Sequence, residues 1–128
     1  MEILGIGIDI ENVERFSGLT LEDHQVFLRR IFTERELEYC FSKANADAHL
    51  AVRFCGKEAV IKAHAGLRKE LSHNHIEIIN NENGSPVANL LCDSASDQRI
   101  LLNLSHTQEL ATAIAIVIRD GSCKRSEN

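Results

Sequence analysis

The chain has 128 residues, of which 44% are hydrophobic and 26% are charged, an ordinary composition for a globular protein. This length fits one domain, which we expect to span residues 1–119, followed by a polar tail at 120–128. The 14 basic and 19 acidic side chains give a formal net charge of −5, so the chain lacks the basic surplus with which nucleic-acid binders neutralise phosphates. No apolar run approaches the ~18 residues of a membrane span, so we expect no membrane contact.

Four cysteines stand far apart and form neither a CxxC pair nor a zinc-knuckle pattern: Cys40, Cys55, Cys92 and Cys123. The N-terminus lacks the basic segment of a signal peptide. These features together indicate free thiols in a reducing cytoplasm. Two less favoured alternatives stay open, a disulfide and a zinc site that combines these cysteines with histidines at 64, 73 and 75.

Residues 3–10 alternate leucine and isoleucine with Gly5, Gly7 and Asp9. The alternation predicts a strand with one apolar face and one face that is nearly bare of side chains. Glycine within a strand often marks the close approach of a ligand or of another backbone. We expect Asp9 to project from this bare face, near the end of the strand.

Three helical regions follow. Residues 11–30 are predicted to be helical in one or two pieces that break near Ser17-Gly18, and Thr20 can start the second piece. The pattern Thr33-Glu34-Arg35-Glu36 fits a capping box and predicts a helix start. The longest helical pattern runs over 45–65, with Gly66 as its stop. A glycine inside this helix costs about 1 kcal/mol relative to alanine, so we expect Gly56 to pack closely against another backbone.

The second half of the chain predicts four strands, at 75–80, 87–92, 100–104 and 110–118. Asn83-Gly84 is a strong turn signal, a polar loop or short helix covers 93–99, and a second turn covers 105–109. One strand, then helices, then four strands in hairpin-like succession indicate an α+β fold. Its sheet should be largely antiparallel, with one long and several short helices.

Asp9, Glu58 and Lys62 form the best candidate site. Two carboxylates, joined by phosphate oxygens and water, suit an octahedral Mg²⁺ ion, and a lysine one turn away supplies positive charge to a phosphate. Such a set suits group transfer at a pyrophosphate, where charge stabilisation dominates. The alternatives are structural: Glu58 and Lys62 are spaced for a surface ion pair, and Asp9 could cap a following helix.

Other motifs are weaker. Gly5-x-Gly7 lacks the third glycine of a dinucleotide fingerprint, because position 10 is Ile10. Arg53 and Lys57 on the long helix are either solvated charges or anion binders. His106, in a turn, is either simply exposed or a phosphate or base contact. The residues alone indicate a small cytosolic α+β domain with a candidate site for Mg²⁺ and phosphate.

Five motifs in register make the chain resemble a known family. They are Gly5-Ile-Gly-Ile-Asp9, Phe32-Thr-Glu-Arg-Glu-Leu37, Arg53-Phe-x-x-Lys57-Glu58-Ala59-x-x-Lys62-Ala63, Asn83-Gly84-x-Pro86 and Leu104-Ser105-His106-Thr107. Together, over residues 3–118, they resemble the holo-acyl-carrier-protein synthases, small 4′-phosphopantetheinyl transferases. The resemblance implies that family's fold and an assembly as a homotrimer with each site between two subunits.

The resemblance also implies the reaction and its residues. Coenzyme A would donate its phosphopantetheine arm to a serine of an apo acyl carrier protein, leaving adenosine 3′,5′-bisphosphate. Asp9 and Glu58 match the family's Mg²⁺ ligands, and Lys62 matches a lysine at the phosphates; these three carry the catalysis. The bare glycine face of the first strand would leave room for the coenzyme. The expected coenzyme A contacts are Arg53, Lys57, Lys62, Gly84, Ser85, Pro86, His106 and Thr107.

Some features depart from that family. The basic helix that usually docks the acidic carrier corresponds to residues 11–30, where three arginines face four acidic residues, a net charge of −1. Ser85 stands where lysine is common. The carrier is therefore either of the fatty-acid or of the polyketide type. The base that accepts the serine proton is Glu58 or a water on the metal. The alternative functions are a relative that binds coenzyme A or the carrier without transfer, and an interaction protein whose charges are surface pairs.

Overall fold

The computed structural model describes residues 1–67, 70–92 and 97–121. The strands are β1 Glu2–Asn12, β2 Ile76–Asn80, β3 Pro86–Leu90, β4 Gln98–His106 and β5 Leu110–Arg119. The α-helices are α1 Leu21–Ile31, α2 Glu34–Phe41 and α3 Ala46–Ala63, and 3₁₀ helices cover Val13–Phe16 and His73–His75. Residues 93–96 of the predicted loop lie outside the described residues, as does the predicted tail from residue 122 onward.

The strands form two antiparallel sheets, one with the order β1-β5-β4 and one hairpin, β2-β3. In the larger sheet the first strand pairs with the last, so that Gly7 faces Ala115 and Asp9 faces Ala113. This arrangement confirms the predicted α+β class with an antiparallel sheet. The long helix α3 packs on this sheet, and its residues supply much of the core. No helix within the described ranges is long and apolar enough to cross a bilayer.

The prediction of helix for residues 11–30 is wrong at its start. Glu11 and Asn12 continue β1, because they pair with Ala111 and Leu110 of β5. A single 3₁₀ turn follows, and the helix proper begins only after Thr20, whose side chain accepts a hydrogen bond from the Asp23 amide. The pairing partner of Glu11 lies one hundred positions away in the chain, where local periodicity carries no signal.

The capping box at Thr33 is present as predicted. The Thr33 hydroxyl accepts from the Glu36 amide, and the Glu36 carboxylate accepts from the Thr33 amide at 2.8 Å. The reciprocal bonds satisfy two backbone donors that a helix start leaves open. They also turn the Glu36 side chain inward, and this side chain is only 1% exposed.

The glycine face of β1 lies directly against α3. A Cβ atom at Gly7 would stand 1.9 Å from the carbonyl oxygen of Ala59, and one at Gly5 would stand 1.9 Å from that of Ala63. Helix and strand therefore touch backbone to backbone, which only glycine permits. The expectation that this face leaves room for a ligand is wrong, because the helix fills it.

The neighbouring strand β5 turns small side chains to the same helix. Ala111, Ala113 and Ala115 are all nearly fully buried, as the alternation predicted. Gly56 of α3 is explained by a different contact than expected. A Cβ atom there would meet side chains, Ile78 Cδ1 at 2.7 Å and Leu104 Cδ2 at 3.0 Å, and not another backbone.

The opposite face of β1 is apolar and exposed. Ile6, Ile8 and Ile10 are 59%, 66% and 59% exposed, and Ile114 of β5 and Leu101 of β4 extend the same apolar surface. We call this set the outer sheet face. Contiguous exposed apolar side chains of this kind mark an interaction surface.

Candidate functional site

Asp9 and Lys62 form the centre of the candidate site. The Lys62 ammonium donates to Asp9 Oδ1 at 2.9 Å and to the Ile8 carbonyl at 3.0 Å. The hydrogen bond to Asp9, together with the negative charges of Asp9 and Glu58, raises the pKa of Lys62 above its ordinary value. Lys62 therefore interacts with both of the carboxylates with which the predicted site groups it. Asp9 lies inside β1 and caps no helix.

The second oxygen of Asp9 marks a place for a further ligand. Asp9 Oδ2 is buried and has no hydrogen-bond partner among the described residues. A buried carboxylate oxygen without a partner is costly, and a cation or an ordered water relieves that cost. Two carboxylates that leave further positions to phosphate and water are the donor set that Mg²⁺ accepts. The residues present therefore fit Mg²⁺.

The described residues offer no ready-made site for other metals. They contain no group of three or more histidine, cysteine, aspartate or glutamate side chains that could hold an ion. Cys40, Cys55 and Cys92 are free thiols. The described part of the chain thus gives no support to the alternatives of a disulfide or a zinc site, and Cys123 lies outside it.

Glu58 has a partner that the sequence did not suggest. Its Oε2 atom accepts a hydrogen bond from Nε2 of His73, a residue of the second 3₁₀ helix. Glu58 is bound by His73, and Lys62 is bound by Asp9. The alternative of a surface ion pair between Glu58 and Lys62 therefore does not describe the main contacts of these residues. From the sequence, His73 is a candidate only for the zinc site. No spacing rule links positions 58 and 73 across a loop.

A third carboxylate, Glu11, lies beside Asp9. Burial raises the pKa of Glu11, the hydrogen bond from Arg15 opposes the increase, and the charge of Asp9 adds to it. Arg15 donates to Glu11 at 2.8 Å and so neutralises much of its charge. The signal for Glu11 was present in the sequence, since residues two apart in a strand share a face. It was missed because residue 11 was assigned to a helix.

A second cluster surrounds Arg53 on another face of α3. Its guanidinium lies 4.3 Å from the centre of the Tyr39 ring, and one nitrogen donates to Asn80 at 3.4 Å. The buried Nε of Arg53 has no hydrogen-bond partner within the described residues. The His49 ring contacts Tyr39 on one side and His106 on the other, at 5.5 and 6.2 Å between ring centres. Arg53 and His106 therefore belong to one cluster.

The turn that contains Gly84, Ser85 and Pro86 lies next to this cluster. Asn80, which accepts from Arg53, pairs across the β2-β3 hairpin with Pro86. Gly84 has a φ of +87°, which favours glycine, and the Ser85 amide donates to Asn81 and Asn83. The asparagine side chains hold the turn in shape, so the predicted turn residues stand near Arg53.

Thr107 plays a structural part in the second predicted turn. Its hydroxyl accepts from the Glu109 and Leu110 amides at 3.2 and 3.0 Å, and its own amide donates to the Leu110 carbonyl at 2.8 Å. These bonds close the turn between β4 and β5. His106 ends β4 and is exposed beside the turn.

Lys57 does not reach either cluster. It was predicted to contact coenzyme A, but its side chain is fully buried. Its ammonium donates to Glu36 Oε1 at 2.7 Å, to the His73 carbonyl at 2.9 Å and to the Ile76 carbonyl at 2.5 Å. The other oxygen of Glu36 accepts from the Ile78 amide at 2.7 Å. Burial lowers the pKa of Lys57, and the neighbouring Glu36 works against this decrease. The prediction that Lys57 contacts coenzyme A is therefore wrong, because its ammonium is bound by oxygen atoms inside the core.

Comparison with known proteins identifies the family. Residues 5–115 match the model of the 4′-phosphopantetheinyl transferase superfamily. The chain is 40% identical over 122 residues to the holo-[acyl-carrier-protein] synthase of Geotalea daltonii, covering 90% of this chain and 98% of the relative. It is 43% identical over 118 residues to that of Chlamydia trachomatis, covering 89% and 98%.

Solved structures agree with the sequence comparison. A holo-(acyl-carrier-protein) synthase from Bacillus anthracis, in complex with CoA (3′,5′-ADP), superposes with a TM-score of 0.73 at 31% identity, covering 91% of this chain and 97% of that one. The enzyme of Neisseria meningitidis gives a TM-score of 0.74 at 28% identity, covering 91% and 99%. Sequence and fold thus agree, and the chain belongs to the 4′-phosphopantetheinyl transferase superfamily, as a phosphopantetheinyl transferase of the holo-acyl-carrier-protein synthase type.

Proposed function

We propose that this protein transfers the 4′-phosphopantetheine arm of coenzyme A to a serine of an apo acyl carrier protein and releases adenosine 3′,5′-bisphosphate. The observation that carries the proposal is the buried oxygen of Asp9, which has no partner among the described residues, beside Lys62, whose ammonium also feels the charge of Glu58. The relatives' names supply the substrate class, since they are holo-[acyl-carrier-protein] synthases, and one is complexed with CoA (3′,5′-ADP).

Asp9 and Glu58 are the residues that would hold Mg²⁺. Asp9 would offer Oδ2, and Glu58 would offer Oε1, since its Oε2 is engaged by His73. When bound, Mg²⁺ would supply positive charge that offsets the negative charge developing on the phosphate oxygens. Glu11, neutralised by Arg15, would stay outside this set.

Lys62 would stabilise the leaving group. In the reaction the serine oxygen forms a bond to the β-phosphorus of coenzyme A, and the bond from this phosphorus to the departing bisphosphate breaks. The bisphosphate leaves with an additional negative charge, which a fixed ammonium stabilises. The raised pKa of Lys62 keeps it charged at neutral pH. The serine proton passes to Glu58 or to a water in the site.

Arg53, the turn at Gly84–Pro86, His106 and Thr107 would bind the nucleotide end of coenzyme A. Support comes from the Arg53 guanidinium, whose buried Nε has no partner in the described part of the chain. Its neighbours Tyr39 and His49 give the cluster flat aromatic surfaces. A phosphate group beside Arg53 would gain charge-assisted hydrogen bonds. Lys57, being buried, is left out of this site.

We further propose a homotrimer that shares each site between two subunits. Arg53 and Lys62 are nine positions apart on α3, which places them about 180° apart around the helix axis. On a single subunit, one coenzyme A molecule would have to extend around α3 in order to contact both Arg53 and Lys62. The outer sheet face supplies an apolar surface for assembly. In a closed ring, Lys62 of one subunit would complete the site around Arg53 of the next.

The carrier and the compartment are also part of the proposal. The net charge of −1 over residues 11–30 predicts weak electrostatic steering of an acidic carrier, and either a fatty-acid or a polyketide carrier is compatible with it. The free thiols Cys40, Cys55 and Cys92 support the reducing cytoplasm.

Intact-mass measurement of apo carrier proteins tests the proposed function. Purified protein, coenzyme A and Mg²⁺ should add one phosphopantetheine to at least one carrier from a panel of fatty-acid and polyketide types, and EDTA should abolish the gain. Asp9→Asn should lower the rate roughly 100-fold or more, because it removes the charge and keeps the shape.

The control variant is Glu38→Gln, an exposed acidic residue of α2 outside the segment at 11–30 and outside the proposed site, which should transfer at the wild-type rate. Coenzyme A binding by calorimetry without transfer to any carrier would contradict the proposal and favour a binding relative. Absence of coenzyme A binding would favour an interaction protein.

A further inference from the structure

We propose that His73 is a positioning residue for Glu58, which it holds by one carboxylate oxygen so that the other faces the Mg²⁺ site. The inference rests on the proposed function, since it concerns the carboxylate that would bind the metal. The contact that carries it joins Nε2 of His73 to Oε2 of Glu58. A carboxylate only accepts hydrogen bonds, so the imidazole donates from Nε2, and its proton is on that nitrogen.

The His73 ring is held in place by an aromatic wall. It stacks on Phe54 with 14° between the ring planes and 5.2 Å between the ring centres. Phe54 is only 6% exposed and packs against the buried Phe16 at 5.5 Å. The Arg15 guanidinium also lies on Phe54, at 4.8 Å from the ring centre. The imidazole plane is therefore set by a side chain that belongs to the core.

The backbone of His73 is fixed as well. Its carbonyl accepts a hydrogen bond of 2.9 Å from the buried ammonium of Lys57. Lys57 and Glu58 are consecutive residues of α3, so one turn of the helix holds His73 from two sides, by the carbonyl and by the ring. The imidazole thus has a fixed position relative to Glu58.

This arrangement matters because Glu58 is otherwise free to turn. Its side chain is 29% exposed, and a glutamate that is open to solvent samples several rotamers. With Oε2 bound to His73, the remaining oxygen has a defined direction. Hydrogen bonds that orient a metal-binding side chain typically change metal affinity by 10–100-fold when they are removed.

Metal binding tests the inference with two variants of His73. His73→Phe keeps the stacking on Phe54 and removes the donor, whereas His73→Gln restores an N–H donor without the ring. The probe is Mn²⁺ in the presence of coenzyme A and without carrier, followed by electron paramagnetic resonance. We expect roughly tenfold weaker Mn²⁺ binding in His73→Phe, affinity close to the wild type in His73→Gln, and unchanged melting temperatures.

Asn74→Ala is the matched control, because Asn74 is exposed on the same 3₁₀ helix and should leave Mn²⁺ affinity unchanged. Wild-type Mn²⁺ affinity in His73→Phe would overturn the inference, as would an equal loss in His73→Phe and His73→Gln. If the wild type transferred the arm and His73→Phe bound Mn²⁺ as tightly as the wild type, the inference about His73 would fail and the proposed function would stand.

Imidazole ¹⁵N spectra provide a test that needs no metal. At about pH 8, where a free imidazole is neutral, the His73 signals should show the proton on Nε2, and Glu58→Gln should shift the Nε2 resonance. A proton on Nδ1, or spectra that do not respond to Glu58→Gln, would overturn the inference. This result does not depend on metal binding or transfer by the wild type. Absence of Mn²⁺ binding and of transfer in the wild type would instead refute the proposed function.

Discussion

Two lysines on α3, Lys57 and Lys62, show how position alone separates a structural charge from a functional one. Lys57 is fully buried and bound by three oxygens, and Lys62 is half-exposed and bound to Asp9 and a carbonyl. They lie five positions apart on α3, which is about 140° around the helix axis. The same residue type therefore supports the core in one direction and faces the site in the other.

Replacement of each lysine by methionine should separate these roles. Lys57→Met leaves Glu36 buried without its cation, and we expect it to lower the free energy of unfolding by about 3–5 kcal/mol. Lys62→Met removes a half-exposed ion pair and should change the free energy of unfolding far less than Lys57→Met does, while it lowers transfer strongly. Urea unfolding monitored by circular dichroism measures both. Equal stability of the two variants would contradict the assignment of Lys57 to the core.

The buried thiol of Cys40 predicts a pH dependence of stability. Burial raises the pKa of Cys40 from 9.0 to about 12. Between these values the folded protein keeps a proton that the unfolded chain releases, so stability falls as pH rises. At about pH 10 this loss amounts to about 1 kcal/mol relative to neutral pH. Cys40→Ala lacks this titration.

Unfolding of the wild type and of Cys40→Ala at about pH 8 and about pH 10 checks the expectation. The wild type should lose about 1 kcal/mol more than the variant between the two conditions. Comparison of the two proteins removes the contributions of Lys57 and Cys55, which both retain. Parallel losses in the two proteins would show that Cys40 titrates normally.

At the scale of elements, the contact between β1 and α3 depends on the absence of side chains. Gly7→Ala would place a Cβ atom 1.9 Å from the Ala59 carbonyl oxygen and 2.7 Å from the Ala63 amide nitrogen. Neither backbone atom can move without shifting the helix, so we expect a loss of about 3 kcal/mol or more in unfolding free energy. Thermal and urea unfolding measure it.

Gly18→Ala is the control for this substitution. Gly18 has a φ of +76° and no other atom within 4 Å of an added Cβ, so alanine there costs only the backbone strain of about 1–2 kcal/mol. A Gly7→Ala protein as stable as Gly18→Ala would mean that helix and strand can separate without cost.

What the sequence could predict at this scale follows from the range of the interactions. The capping box at Thr33, the turn at Gly84 and the alternation in β5 are local patterns, and all three are present in the structure. The extension of β1 to Asn12 depends on a distant strand, and the burial of Lys57 depends on carbonyl groups of another segment. Tertiary packing determines such partners, and the hydrophobic periodicity of the neighbouring sequence does not indicate them.

The candidate site divides in the same way. Asp9, Glu58 and Lys62 could be selected because their chemistry and spacing suit Mg²⁺ and phosphate, and the structure brings them together. The contact between His73 and Glu58 could not be anticipated, because residues 58 and 73 are linked only through the path of the intervening loop. The sequence thus predicts which groups do chemistry better than it predicts which groups orient them.

For the whole molecule, the proposed trimer predicts that two inactive variants restore each other. Asp9→Ala removes one part of the site and Arg53→Ala the other, and these parts belong to different subunits in a shared site. Random trimers formed by co-expression in equal amounts should contain intact sites at about one quarter of the interfaces, half multiplied by half. Transfer rates should therefore rise to about a quarter of the wild-type rate.

Separate variants mixed without subunit exchange provide the control and should stay inactive. Light scattering of the co-expressed protein shows whether trimers are present. A trimer that regains no activity would place Asp9 and Arg53 in the same site of one subunit. A monomer at micromolar concentration would remove the shared site altogether.

The Glu36 carboxylate has a consequence for how the protein comes apart. It accepts from the start of α2, from the middle of α3 and from the β2 backbone at Ile78. Within the described residues the β2-β3 hairpin shares no hydrogen-bonded ladder with the larger sheet. The Glu36 side chain therefore ties this hairpin to both helices. Loss of any one of these three hydrogen bonds would leave a charged or amide group buried without a partner. The free-energy cost of such a group disfavours unfolding of the hairpin alone. The hairpin and the helices should therefore unfold as one cooperative unit, so that the turn at Gly84 stays beside Arg53 for as long as the fold itself persists.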